Sequence, residues 1–259
     1  MKLKTYVKKL SIIFGITALL AFSGCLPATR RMQKVSMFIG IDVSGSFYNR
    51  PYFDSAGGFT AYYIYAHLNG LGELKQPKAL FVGTIGGVTA DEPKAFHPIH
   101  DFEGKSLEQI EGDLRRWFTQ TEFDKYTDFN IFFDKVATLA KKQNLVLSPI
   151  EIIIISDGIP DIKKETFGDD KEAIKSLKLN PLEYIARRVT VRLLYPIPTI
   201  AGLWDKLVER RRVKIWTQDN EVMAGWKEQL LPDKPVDQQE KLFLWIKDNI
   251  DFRVRSRGF

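Results

Sequence analysis

The stretch Ile150–Ser156, IEIIIIS, constrains the fold more than any other part of this 259-residue chain. An apolar run without alternation leaves no face for water, so it reads as a strand covered on both sides, as strands of parallel sheets are. The flanking sequence supplies the neighbours that such a strand needs. Val35–Ile41 reads as a first strand, Ala79–Ile85 as a second, Ala95–Ile99 as a short edge strand, and Val189–Leu194 and Val213–Thr217 as the last two. Helical patterns fall between them. Phe59, Tyr62, Tyr63 and Ala66 stripe Gly58–Leu71; SLEQ at Ser106 opens a capped helix to Phe118; and Phe129, Phe132, Phe133, Val136 and Ala140 stripe another. Residues 170–178, Leu203–Arg211, 219–230 and 236–249 complete the set, the last with Leu242, Phe243, Ile246 and Ile250 as its apolar face. Strands alternating with helices predict an α/β fold: a doubly wound, mostly parallel central sheet with helices on both faces, in one domain with added C-terminal helices.

The N-terminus is of another kind. MKLKTYVKK is basic, LSIIFGITALLAF is an apolar run of thirteen residues, and the small residues Ser23 and Gly24 precede Cys25, the chain's one cysteine. That run is short for a bilayer span, and the three parts together describe an export signal. One cysteine cannot form an internal disulfide, so its place calls for another explanation. FSGC resembles the lipobox of bacterial lipoproteins, with Phe22 where leucine is usual; the resemblance implies cleavage after residue 24 and acylation of Cys25. Loss of residues 1–24 removes four lysines and no acid, which lowers the net charge from +6 to +2. The basicity therefore belongs largely to the leader and does not indicate nucleic-acid binding. Residues 25–34 form a tether whose Arg30, Arg31 and Lys34 can meet anionic head groups or water.

Functional groups in such a sheet gather at the carboxyl ends of its strands. Asp42, Ser44 and Ser46 follow the first strand, Asp157 follows IEIIIIS, and Thr127 precedes the phenylalanine-striped helix. Two carboxylates at one sheet edge repel unless one is protonated or a cation lies between them. Three hydroxyls and two carboxylates make an all-oxygen donor set, which suits Mg²⁺ or Mn²⁺ rather than zinc. DVSGS, then TD at a helix start, then IIIISDGIPD resemble, in order and context, the metal-ion-dependent adhesion site of von Willebrand factor type A domains. That resemblance covers residues 35–218 and implies the Rossmann-like form of the fold. It further implies that Ser44, Ser46 and Thr127 touch the metal directly, that Asp42 and Asp157 act directly or through water, and that a partner protein's Asp or Glu completes the coordination. Residues 219–251 then read as helices packing on the domain, and 252–259 as a basic tail. The pattern departs from the family where FYNRPYFDSAGG follows the second serine, and Tyr48, Arg50, Tyr52 and Phe53 form an expected partner-binding rim.

Other constellations are weaker. Asp128 and Asp161 read as a helix cap and a turn residue. His97, His100 and Asp101 have a metal-compatible spacing but no further histidine nearby in sequence, and His67 reads as a structural residue of its helix. The chain also resembles the start of haloacid-dehalogenase-type phosphatases, but their second, acid-donating aspartate is Ser44 here. DVSGS lacks the first glycine of a hydrolase elbow. The expectation is therefore no enzyme. It is a lipid-anchored envelope protein that binds a protein partner through a divalent cation, in the outer membrane facing the periplasm where the host has two membranes and on the outer face of the cell membrane where it has one. A metal-stabilised scaffold subunit is the alternative, and a Mg-dependent phosphohydrolase the distant one.

Overall fold

A computed structural model describes residues 34–85, 96–118, 127–161 and 168–252. The expected leader, Cys25 with most of the expected tether, and the tail from residue 253 lie outside the described residues. The described residues form six strands, β1 (Val35–Asp42), β2 (Pro77–Ile85), β3 (His97–Pro98), β4 (Ile150–Ile155), β5 (Val189–Leu194) and β6 (Lys214–Gln218), in the order β3-β2-β1-β4-β5-β6. All neighbouring pairs are parallel except β2–β3, where Phe81 lies opposite Pro98 and Val82 opposite His97. The fold is thus doubly wound α/β. The chain leaves β1 toward β2 and later returns to the other side of β1 as β4, so the winding reverses between those two strands.

β4 is covered on both faces. Ile152 and Ile154 enter one core with Phe38, Phe129, Phe132, Phe133 and Trp204, while Ile153 and Ile155 enter the other with Met37, Ile39, Phe59, Tyr63, Leu242 and Phe243. Alternate residues of one apolar run therefore serve two cores.

The helices are α1 (Gly45–Tyr48), α2 (Phe53–Asn69), α3 (Leu107–Phe118), α4 (Phe129–Lys142), α5 (Asp170–Lys175), α6 (Pro198–Leu207), α7 (Asn220–Ala224) and α8 (Glu240–Asn249). Among the described residues no helix is long and apolar enough to cross a membrane. The capping box at Ser106 forms as its sequence predicts: the Ser106 N–H donates to Gln109 Oε1 at 2.9 Å, and the Gln109 N–H to Ser106 Oγ at 3.3 Å.

Several boundaries differ from the sequence reading. α2 begins at Phe53 rather than Gly58, because the buried side chains of Ala56 and Phe59 anchor its first turns despite the glycine pair. α6 spans Pro198–Leu207 rather than Leu203–Arg211. Proline suits its first turn, and residues beyond its end are diverted: the Glu183 carboxylate accepts the N–H groups of Arg211, Arg212 and Val213, which are then lost to any helix. The expected helices 219–230 and 236–249 are each broken into an α-helix and a 3₁₀ turn, at Lys227–Gln229 and Val236–Gln238. Of the tail, Phe252 is described; it packs edge-on against Trp216 with ring centroids 4.3 Å apart.

Candidate metal centre

The point where the winding reverses brings the ends of β1 and β4 together, and with them the two aspartates. Asp42 closes β1 and is fully buried. Its Oδ1 accepts the Ser44 N–H at 2.9 Å and the Thr127 hydroxyl at 3.4 Å, and its Oδ2 accepts the Ser156 hydroxyl at 2.6 Å. Ser44 and Ser46 lie with their hydroxyl oxygens 3.0 Å apart, as positions i and i+2 of a turn into α1 allow. Thr127 is delivered by a two-way backbone bridge to Asp161, so that the segment before α4 pairs with the segment after β4. Asp161 thus supplies backbone pairing. Asp128 is the N-cap of α4 and accepts from the N–H groups of Asn130 and Ile131.

Asp157 follows β4 and is also buried. Its Oδ1 accepts the Ile159 N–H at 3.2 Å, while its Oδ2 has no hydrogen-bond partner and lies 3.6 Å from the Arg50 guanidinium. Burial, and then the charge of Asp157, push the Asp42 carboxyl up to about 7. Asp157 is raised as well, chiefly by burial, against the lowering pull of the Ile159 N–H, Arg50 and the Ser46 hydroxyl. Four of the five residues named from the sequence are therefore joined by hydrogen bonds, Thr127 to Asp42, Asp42 to Ser44 and Ser44 to Ser46, and the fifth, Asp157, acts on Asp42 through its charge.

Four supporting residues were not foreseen. Ser156 donates to Asp42 and accepts the Gly158 N–H at 2.9 Å, which locks the turn. Gly158 adopts φ +77°, in the left-handed region that favours glycine, and its carbonyl accepts the Trp204 indole N–H at 2.7 Å. Tyr195, at the end of β5, has φ +80° and lies buried against Tyr52 with ring centroids 5.7 Å apart. The rule that ligands gather at strand carboxyl ends would have found Ser156 and Tyr195; nothing local marks Trp204.

The rim is divided. Tyr52 packs inward, between Phe47 and Tyr195, and its hydroxyl is buried without a partner. Phe53 opens α2 and packs at a tilt against Tyr48, with ring centroids 4.6 Å apart. Arg50 is the rim residue that reaches the centre, and its Nε has no hydrogen-bond partner. Elsewhere, His97 stacks flat on Trp117 at 3.6 Å and pairs with Asp101 at 3.1 Å, and His100 lies 3.8 Å from Glu103. Among the described residues no group of three or more His, Cys, Asp or Glu is placed to hold a metal ion. His67 is buried, with Nδ1 donating to the Lys75 carbonyl and Nε2 2.8 Å from Asp251, a structural role as its sequence context suggests.

No protein-family model matches the chain, and no curated protein does. Solved structures do resemble it. The pilus adhesin SpaC from Lactobacillus rhamnosus GG has a TM-score of 0.45 at 11% identity, over 83% of this chain and 30% of the adhesin. The human COPII-coat protein Sec24c has 0.40 at 10% identity, over 75% of this chain and 31% of that one. The SpRpn10 VWA domain has 0.39 at 11% identity, over 73% of this chain and 89% of that domain. The chain thus spans less than a third of the adhesin and of the coat protein.

Proposed function

We propose that this chain is a lipid-anchored protein of the bacterial envelope that captures a protein partner through a divalent cation held by Asp42, Ser44, Ser46, Thr127 and Asp157. One observation carries the reading: two buried carboxylates share a sheet edge, and one of them, Asp157, keeps a buried oxygen without a hydrogen-bond partner. The donor set fits Mg²⁺ or Mn²⁺, being oxygen throughout. Bound there, the ion would offer a coordination position to an Asp or Glu of the partner. With the three hydroxyls in direct contact and the carboxylates acting through water, little negative charge would touch the ion, which would leave it receptive to a further anion. Ser156 and the Ser44 N–H fix the orientation of the Asp42 carboxylate, and Arg50 and Tyr52 bring unpaired donors to the same edge. No enzyme activity is proposed, since Ser44 stands where a phosphatase of similar layout needs an acid.

A second reading, a scaffold in which the ion only stabilises the fold, draws support from Arg50, which already neutralises Asp157 in part. Calorimetric titration of Mg²⁺ and Mn²⁺ into the full chain in detergent, beside Asp157→Ala, tests the centre. Saturable binding that the substitution abolishes is the expected result, and partner capture lost in chelator would then separate adhesion from scaffolding. Absence of binding by the intact chain would defeat the preformed cation site.

A further inference from the structure

The opposite edge of the sheet carries a different chemistry. The parallel strands all begin there, since Val35 pairs with Pro77, Ser36 with Ile150, Ile150 with Val189 and Thr190 with Lys214. Each of these five strands is preceded by basic residues: Lys34; Lys75; Lys141 and Lys142; Arg187 and Arg188; and Arg210, Arg211 and Arg212. Arg187, Arg211 and Arg212 are exposed, and none has an ion-pair partner among the described residues. Arg188 and Arg210 are spent on Glu151 and Asp205. Exposed acids near this edge include Glu209, Asp248 and Glu73, the last 3.4 Å from Lys247.

Apolar side chains are set among these charges. The described residues expose four large hydrophobic side chains; three of them, Val146, Leu147 and Tyr184, lie in the segments leading into β4 and β5, with Leu147 80% exposed. The patch is held firmly: the buried Glu183 carboxylate binds the backbone of residues 211–213, and Arg212 lies over the Tyr184 ring at 5.3 Å. Basic side chains around protruding leucine, valine and tyrosine match the interfacial layer of an anionic bilayer, which takes the apolar tips below the head groups and the guanidinium groups at phosphate level.

We infer that this edge is a docking surface for an anionic phospholipid membrane, and that the protein lies on its bilayer with β4, β5 and β6 starting at the lipid and the carboxylate edge pointing away. The inference rests on the lipid-anchor reading for its geometry. Lys34 enters the sheet at this edge, and the nine residues from Cys25 reach at most about 30 Å when extended. An acyl anchor on Cys25 would therefore hold the patch within reach of head groups at a high local concentration.

The test uses the lipidated full chain with Leu147→Cys carrying a polarity-sensitive dye, reconstituted into vesicles of phosphatidylcholine with or without phosphatidylglycerol. The expected result is a blue shift on anionic vesicles alone, absent for a dye at Asp54→Cys. It is reversed near 1 M salt, where the screening length is about 3 Å. Neutralising Arg187, Arg211 and Arg212 to Gln should lower the docked-to-undocked ratio about five-fold per charge, roughly a hundred-fold together. The mass of the Cys25 peptide reports the anchor separately, so its failure and that of the surface are distinct. A dye that stays unshifted on anionic vesicles overturns the docking surface whatever the state of Cys25. A shift with a DNA oligomer but none with vesicles overturns it in favour of nucleic acid.

Discussion

Asp42→Asn should stabilise the metal-free protein above neutral pH, although it removes a residue central to the proposed site. Burial and the neighbouring Asp157 raise the Asp42 carboxyl from 3.8 to about 7. Between those values the folded state keeps a proton that the unfolded state has lost, so stability falls as pH rises. The full interval corresponds to roughly 4 kcal/mol lost by about pH 8, with Asp157 adding a loss of the same sign. Asparagine abolishes that slope at position 42. Its Oδ1 can keep the Ser44 N–H and the Thr127 hydroxyl, but its amide meets Ser156, whose hydroxyl proton loses its acceptor at a cost of about 1–2 kcal/mol. The variant should therefore be less stable than the parent near pH 4 and more stable by about 2–3 kcal/mol near pH 8, with the two curves crossing between. Urea unfolding in chelator, followed at several pH values, measures this directly. A variant less stable than the parent at pH 8 would refute the reasoning, because it would mean that the three hydrogen bonds outweigh burial and repulsion. Saturating Mg²⁺ should reverse the order at high pH, since a cation removes the penalty in the parent alone.

Other substitutions probe the supports of the centre and of the basic edge. Gly158→Ala should cost about 2–5 kcal/mol in denaturant unfolding. Its φ of +77° is strained for any L side chain, and the added Cβ would lie 2.7 Å from Leu193 Cδ2. Glu183→Gln should cost about 1.5–3 kcal/mol and release the amides of Arg211, Arg212 and Val213 to hydrogen exchange, since it weakens charge-assisted bonds to all three. Arg50→Gln should tighten Mg²⁺ binding about ten-fold in calorimetry, because a unit charge near a divalent ion in a water-like medium opposes it by roughly 1–2 kcal/mol. Unchanged affinity would show that Arg50 swings clear when the ion enters.

What could be read from sequence depended on how local its cause was. The two-face burial of β4 was legible because every residue of IEIIIIS states it, and the Ser106–Gln109 box because its partners are three residues apart. The carboxylate edge was legible at one remove, through the polarity of parallel strands. Ser156 was hidden in plain view, since its bond to Asp42 joins residues 114 apart and either serine or alanine would read equally well after an isoleucine run. The early end of α6 was not legible, because it is imposed by Glu183 from another segment, against a pattern that runs on as helix to Arg211. Arg50 was placed on the rim, but its contact with Asp157 depends on how α1 and the turn after it fold back over the edge.

The separation of charge between the two sheet edges has a folding component that must be taken out before it supports a function. Helices between parallel strands run opposite to them, so their negative ends lie at the edge where the strands begin, and bases in their last turns are stabilised there. That accounts for Lys141 and Lys142 in α4 and Lys206 in α6. It does not reach Arg187, which follows a 3₁₀ turn at Asn180–Leu182, or Arg211 and Arg212, which lie beyond the end of α6 at Leu207. Unpaired arginines gathered at one edge repel one another, and a fold selected for stability alone gains by mixing signs. Nor does folding require Leu147 or Tyr184 to face water, as both cores are complete without them. The residue left after this subtraction is cationic, apolar and rigid, at the edge where the chain enters β1 from its tether. β1 itself then sets the distance to the carboxylates: eight residues of strand carry Asp42 about 25 Å from that edge, which on the proposed docking would keep the carboxylate edge clear of the bilayer surface.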